Sequence, residues 1–190
     1  MNVRITDAQP EDAFGITDVL YKAWLATYPN QKLGITVEDI EESYKEHFTP
    51  ENILRSQERL RNIPANQKRV VAKDGDLIVG AAALVINENN NQLRTIYVLP
   101  EYHGKGIGTA LWNAVKDFSD PGKDTIVQLA DYNEQAIKFY EKMGFVDTGK
   151  RFFDDAFVFK SGARMPEMEM VMKSIHSGLA QDEKVQPRRT

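Results

Sequence analysis

The stretch from Thr95 to Thr109 constrains this chain more than any other. It reads TIYVLPEYHGKGIGT and sets Gly104, Gly106 and Gly108 at alternate positions. Just upstream, residues 93–99 have the β-branched and aromatic content of a strand. Downstream, Ile107, Ala110, Leu111, Ala114, Val115 and Phe118 recur at steps of three and four, the spacing of a helix with one buried face. The glycines therefore fall at a helix N-terminus, where backbone N–H groups lack intrahelical acceptors. Those donors and the helix dipole make an anion site, and the missing Cβ atoms let a phosphate approach. Taken alone, the glycines also suit a plain tight turn; their place between strand and helix favours phosphate. The spacing is neither G-x-x-x-x-G-K-S/T nor G-x-G-x-x-G, so an ordinary ATP or NAD site is not expected.

The remaining chain reads as one α+β domain. Val3 and Ile5 mark a short strand, and Pro10-Glu11-Asp12 opens a helix, since Pro suits the first turn and acids there complement the dipole. That helix runs to Tyr28-Pro29. Thr36, with Asp39 three residues on, resembles a second helix start, with Ile40, Tyr44 and Phe48 on one face. Pro50-Glu51 begins a third helix, ended by Ile63-Pro64. Residues 69–73 and 77–86 read as a hairpin around Asp74-Gly75-Asp76, because Asp-Gly supplies the positive φ of a tight turn. Beyond the glycines, a helix over 106–118, a strand over 125–130, a helix over 134–143 and a strand over 145–148 alternate. Met168, Met170 and Met172 then mark a closing strand. The domain is expected over residues 1–173. Residues 174–190 are too polar to pack and are expected to be a flexible tail.

Composition narrows the function. A chain of 190 residues suits one domain and can bury roughly 70% of its unfolded surface. Hydrophobic residues at 42% and charged residues at 27% exclude wholesale disorder. Cysteine is absent, which removes disulfides, thiolate nucleophiles and Cys-based metal sites, and three histidines at no ligand spacing give no reason to expect a metal. A net charge of −4 argues against a nucleic-acid partner. The longest apolar run, residues 77–86, is about half the roughly 20 residues a membrane helix needs, and residues 1–10 hold no signal segment. A cytoplasmic protein without a membrane partner is the expectation.

A second motif, LADYNEQAIKFYEKMGF, spans residues 129–145. Asn133 precedes a helical stretch and suits its N-cap, Gly144 suits its stop, and Tyr140, on a face with Ala136 and Ile137, reads by itself as core. The two motifs in this order resemble the GNAT superfamily of N-acetyltransferases. Its members show V-x-P-x-Y/F-Q/R-G/R-x-G-I/L-G and then N-x-x-A-x-x-F/L-Y-x-K/S-x-G-F, here residues 98–108 and 133–145. The resemblance spans roughly residues 3–173, and the overall layout is similar to the bacterial polyamine-type branch.

The resemblance implies a mixed, mostly antiparallel central sheet splayed between two strands and flanked by helices. It implies acetyl-CoA as co-substrate, with its pyrophosphate on the loop amides of His103, Gly104, Lys105, Gly106, Ile107, Gly108 and Thr109. The strand edge at Ile96, Tyr97 and Val98 would pair with the pantetheine arm, Asn133 would contact that arm, and Tyr140 would face the sulfur as general acid. The acceptor would be a primary amine of a small molecule, a polyamine or a peptide, and homodimers are common in the family. A phenol of pKa about 10 is still protonated at neutral pH and able to donate to a departing thiolate. Without a cysteine, direct transfer in a ternary complex fits better than an acyl-enzyme.

Three positions depart from the family pattern. An alkyl ammonium of pKa about 10.4 costs roughly 4.6 kcal/mol to deprotonate at pH 7, so a base is needed. Where many family members carry a glutamate, on the strand before the glycine loop or on the one leading to the asparagine, this chain has Arg94 and Gln128; Glu101, Asp131, Tyr28 or a water chain stay open as proton acceptors. The missing glutamates motivate an alternative, a non-catalytic acyl-CoA-binding sensor or scaffold. His103 stands where glutamine or arginine is usual, either a pH-sensitive group at the phosphate or a tolerated loop residue. Trp24 and Tyr28, one helical turn apart, are candidates for the acceptor pocket or for core. The acidic residues Glu38, Asp39, Glu41, Glu42 and Glu46 suit either a polyamine or a solvated helix face.

Overall fold

The computed structural model describes residues 2–154 and 157–174. Its strands are β1 (Val3–Asp7), β2 (Gln67–Asp74), β3 (Leu77–Ile86), β4 (Asn91–Val98), β5 (Thr125–Ala130), β6 (Val146–Phe153) and β7 (Pro166–Met172). The helices are α1 (Ala13–Thr27), α2 (Val37–Lys45), α3 (Pro50–Arg61), α4 (Ile107–Lys116) and α5 (Glu134–Lys142). One seven-stranded sheet runs in the order β1-β2-β3-β4-β5-β7-β6, and only the β4–β5 pair is parallel. This is the mixed, mostly antiparallel sheet the two motifs implied. The expected tail, Ser174 apart, lies outside the described residues.

The local signals explain most elements. Asp12 and Pro10 start a single 3-10 turn that feeds α1, and Asp12, buried, accepts from the Gln9 N–H and from Lys73 Nζ at 2.6 Å. Thr36 and Asp39 form a reciprocal cap at the start of α2, the arrangement their three-residue spacing announces. In the β2–β3 hairpin the two loop residues are Gly75 and Asp76, and Gly75 alone has positive φ, as the first central position of a type II′ turn requires. The strand expected over 145–148 is twice as long. Gly149, at φ +79°, interrupts it, and the pairing slips between Asp147 and Arg151, so its exposed residues show no apolar alternation.

The main core lies between the sheet and the helices, with Trp112, Leu111 and Val115 of α4 fully buried against β2 and β3. Gly80 on β3 permits that approach. A Cβ there would meet Leu111 Cδ1 at 2.9 Å and the Tyr97 carbonyl at 3.0 Å. A second cluster joins Tyr28, Ile35, Ile40, Tyr44, Phe159 and Met165 over Ala130, the last residue of β5. Asp39 ties it together. Its carboxylate, 3% exposed, accepts from the Ser161 N–H at 2.9 Å and hydroxyl at 2.8 Å besides its own helix cap. The segment 157–165 is thereby held over the end of β5, and it roofs the space described next.

Candidate active site

Parallel pairing of β4 with β5 covers only Asn91, Gln92 and Leu93, although both strands continue. Opposite this point the β3–β4 register slips so that Arg94 has no partner, a bulge that bends β4 away from β5. The sheet is therefore splayed, and residues 94–98 leave one backbone edge open. The Leu99 N–H donates to the Val79 carbonyl at 2.9 Å. Alternation along an antiparallel pair then turns the Tyr97 backbone toward β3 and those of Ile96 and Val98 toward the opening. The Val98 carbonyl accepts from His103 Nε2 at 2.9 Å, which confirms its direction. Since a carbonyl cannot donate, Nε2 carries the proton, and Nδ1, 3.0 Å from Gln135 Nε2, accepts.

The loop after β4 enters α4 through Gly104 and Gly106, at φ +73° and +79°, a region other residues avoid. Nothing lies within 4 Å of the Cβ position of either. Gly106 is the N-cap of α4, no side chain caps it, and the first amide bonded back into the helix is that of Ala110. The N–H groups of Ile107, Gly108 and Thr109 thus open on the groove. Gly108 faces α5, where a Cβ would lie 3.3 Å from the Phe139 ring. Lys105 folds back, its ammonium on the Glu101 carbonyl at 2.8 Å and over the Tyr102 ring. The loop is a cradle of free amides with room beside it, and it fits a diphosphate.

The opposite wall is α5. Asn133 Oδ1 caps this helix by accepting from the Ala136 N–H at 3.1 Å, so its Nδ2 is the atom left to meet a ligand. Tyr140 is 6% exposed, packs edge-on against Phe139 and Phe145, and keeps its hydroxyl clear of hydrogen bonds to the described residues. Burial first, then the neighbouring Tyr97, push its pKa up, so it stays a proton donor. Together these elements line a groove of about 410 Å³ that holds the expected residues Tyr28, Ile96, Tyr97, Val98, His103, Gly104, Gly106, Ile107, Gly108, Thr109, Asn133 and Tyr140. Lys105 and Trp24 lie outside its lining.

A second cavity of about 210 Å³ adjoins the groove and shares Tyr28, Tyr97, Gln128 and Leu129 with it. Trp24, Phe157, Met165, Asp154 and Glu167 complete its wall. Tyr28, 4% exposed, belongs both to the core and to the site: its hydroxyl meets that of Tyr97 at 2.8 Å, and Trp24 packs edge-on against it at 4.8 Å. Burial and the adjacent Tyr97 hold the Tyr28 phenol well above its usual range. A phenol so disposed is a poor proton acceptor.

Arg94 and Gln128 both line the groove, and neither is a base. Glu101 and Asp131 reach neither cavity. In the acidic run, Glu38, Glu41 and Glu46 are exposed, and two members have structural partners. Asp39 is a cap and tether, and Glu42, rather than Glu41, pairs with Lys45 at 3.6 Å and with Lys160 at 3.4 Å. The reasoning from sequence passed over Glu167. Its signal was faint: on β7 it is the residue before Met168, placing it on the face opposite the core methionines.

Among the described residues no helix is long and apolar enough to cross a membrane. No curated protein sequence matches the chain. The fold is shared with a PaiA N-acetyltransferase from Thermoplasma acidophilum in complex with coenzyme A, at 24% identity over 88% of this chain and 98% of that one, with a TM-score of 0.66. It is shared with a spermidine N-acetyltransferase SpeG chimera from Vibrio cholerae and hSSAT, at 20% identity, 90% and 95% coverage and a TM-score of 0.56. The ribosomal-protein-S18-alanine N-acetyltransferase from Escherichia coli is similar too, at 14% identity, 90% and 93% coverage and a TM-score of 0.57. The model of the acetyltransferase (GNAT) domain family matches residues 25–170. A splayed sheet, a glycine cradle at a helix start and a family match over most of the sequence agree: the chain belongs to the GNAT acetyltransferases.

Proposed function

We propose that this acetyltransferase moves the acetyl group of acetyl-CoA directly to a primary amine, with both substrates bound at once. The observation that carries this reading is the convergence, in one groove, of an open strand edge, a cradle of free amides and a phenol clear of other partners. The amides of residues 104–109 suit the diphosphate, the edge at Ile96 and Val98 suits the amides of the pantetheine arm, and Asn133 Nδ2 adds a donor. The thioester supplies an activated acetyl group. An outward N–H from β4 stabilises the negative charge that grows on the carbonyl oxygen as the amine attacks. Tyr140 donates its proton to the departing sulfur. No cysteine exists to hold the acetyl group between steps.

The solved relatives support an amine as acceptor, one being a spermidine N-acetyltransferase and another a ribosomal-protein-alanine N-acetyltransferase. The test is release of the CoA thiol from acetyl-CoA with a panel of primary amines, small, polyamine and peptide. Turnover with at least one amine is expected, and Tyr140→Phe should slow it on the order of 100-fold while acetyl-CoA affinity stays within about twofold. Binding of acetyl-CoA without turnover on any amine refutes the proposal. Unchanged turnover in Tyr140→Phe removes that residue from the mechanism.

A further inference from the structure

We propose that Glu167 receives the acceptor: the second cavity seats an alkylammonium against the Glu167 carboxylate, between the rings of Trp24, Tyr28 and Phe157, and Glu167 takes its proton. This rests on the direct-transfer reading and supplies the base that reading lacks. The cavity is about 210 Å³, large enough for a short alkyl amine, and through Tyr28, Tyr97, Gln128 and Leu129 it is continuous with the coenzyme groove. Its charged lining consists of Asp154 and Glu167, with no Lys, Arg or His. A cavity with the Glu167 carboxylate and aromatic walls complements a cation by charge and by its ring faces.

The carboxylates of β7 show that Glu167 is set apart. Glu169, two residues on along the same face, is paired with Lys150 Nζ at 3.0 Å. The Glu167 side chain, half-buried, has no hydrogen-bond or ion-pair partner among the described residues, although its backbone pairs with β5 and β6. Nearby, the Trp24 indole N–H is buried near the Tyr97 hydroxyl, whose ionised form it favours, yet it completes no hydrogen bond of normal geometry. Glu167 and the Trp24 ring both line the second cavity, while the indole nitrogen itself is buried behind it. The groups facing Glu167 are Asp154 from the segment after β6, Tyr97 from β4 and Tyr28 from the end of α1. Burial first, then the like charge of Asp154, hold the Glu167 carboxyl above its ordinary range and make it a stronger base.

The chemistry balances. The ammonium gives one proton to the Glu167 carboxylate and becomes a neutral amine. Its lone pair forms the C–N bond to the acetyl carbon as the C–S bond breaks, and the sulfur leaves with the electron pair. Tyr140 protonates the sulfur, and the proton lost from the new amide nitrogen restores the phenol. Glu167 releases its proton to solvent, so ammonium and thioester give amide, thiol and one proton.

The test uses the intact protein, n-butylamine as probe, and Glu167→Gln, Glu167→Asp and Glu169→Gln variants. The chain has two tryptophans, and Trp112 is sealed in the core, so a change in emission reports Trp24. Butylammonium should perturb that emission, with half-saturation raised about tenfold or more in Glu167→Gln, largely recovered in Glu167→Asp and unmoved in Glu169→Gln; butan-1-ol should not discriminate among them. In turnover, Glu167→Gln should lower kcat about 100-fold at pH 7, leave the KM for acetyl-CoA unchanged, and regain rate as pH nears the amine's pKa of about 10.4, where no base is needed. Equal butylammonium response in wild type and Glu167→Gln, or an identical pH profile, overturns the proposal. A Glu167-dependent emission response without turnover of any amine keeps the cation site and refutes the transfer reading instead.

Discussion

Replacing Gly106 with alanine separates backbone strain from ligand binding. Gly106 holds φ +79° as the N-cap of α4, and nothing lies within 4 Å of its Cβ position. The methyl group therefore clashes with no protein atom, and the stability cost is that of a left-handed L residue, about 1–2 kcal/mol. For a chain this long, each kcal/mol lowers Tm by about 2–4 °C, so a fall of roughly 2–8 °C is expected. The same methyl stands in the cradle. Displacing the diphosphate from even one amide removes a charge-assisted hydrogen bond of about 1.5–3 kcal/mol, which weakens CoA binding roughly 10- to 150-fold. Gly149 is a matched control: it too has φ +79° and open space, but it lies in β6, away from the groove. Calorimetric titration with CoA and thermal melts on both variants decide the matter. Both should melt earlier by similar amounts, and only Gly106→Ala should lose CoA affinity. Equal CoA affinity in the two variants would refute the placement of the diphosphate.

Further outcomes follow from the same geometry. Tyr28→Phe removes the partner of the partly buried Tyr97 hydroxyl and should cost about 0.5–1.5 kcal/mol, read as a lower Tm. Burial raises the carboxyl pKa of Asp39, but the N–H and hydroxyl donors of Thr36 and Ser161 outweigh it and hold the pKa below the unfolded value of about 3.9. Its contribution is thus complete above that value and is lost as pH falls through the lowered folded pKa. Melting between pH 7 and pH 2 should show a shallower acid-side fall in Asp39→Asn than in wild type; parallel curves would contradict this. His103 occupies the Val98 carbonyl that the pantetheine arm is proposed to need, so His103→Ala should bind CoA about 2- to 10-fold tighter by calorimetry. Weaker binding would show that the ring assists the coenzyme instead.

The sequence carried the elements whose signals are local. Thr36 and Asp39 announced their cap, Gly75 its turn, and Gly104 and Gly106 the positive-φ cradle, because each depends on a few neighbouring residues. The strand β6 was legible only at its start, since Gly149 and an exposed polar face erase the alternation that marks a strand. The acceptor side was the least legible part. Trp24 and Tyr28 could be read as core or as site, and Tyr28 is a core residue that also lines both cavities, its hydroxyl reaching Tyr97, 69 residues away. Glu167 sits where alternation on a closing strand suggests a solvent face. Only the segment tethered by the Asp39–Ser161 contact, 122 residues apart in sequence, encloses that face in a cavity. Contacts of that range leave no periodic trace.

The grip on the coenzyme is tested most directly by amide chemical shifts of isotope-labelled protein titrated with CoA and, separately, with pantetheine. Coenzyme A should move the N–H resonances of Gly104, Gly106, Ile107, Gly108 and Thr109 most, together with those of Ile96 and Val98. Pantetheine, which lacks the diphosphate, should move Ile96, Val98 and the Asn133 side-chain amide but not the residues at the start of α4. If saturating CoA leaves the residues at the start of α4 where they were, the central claim is wrong.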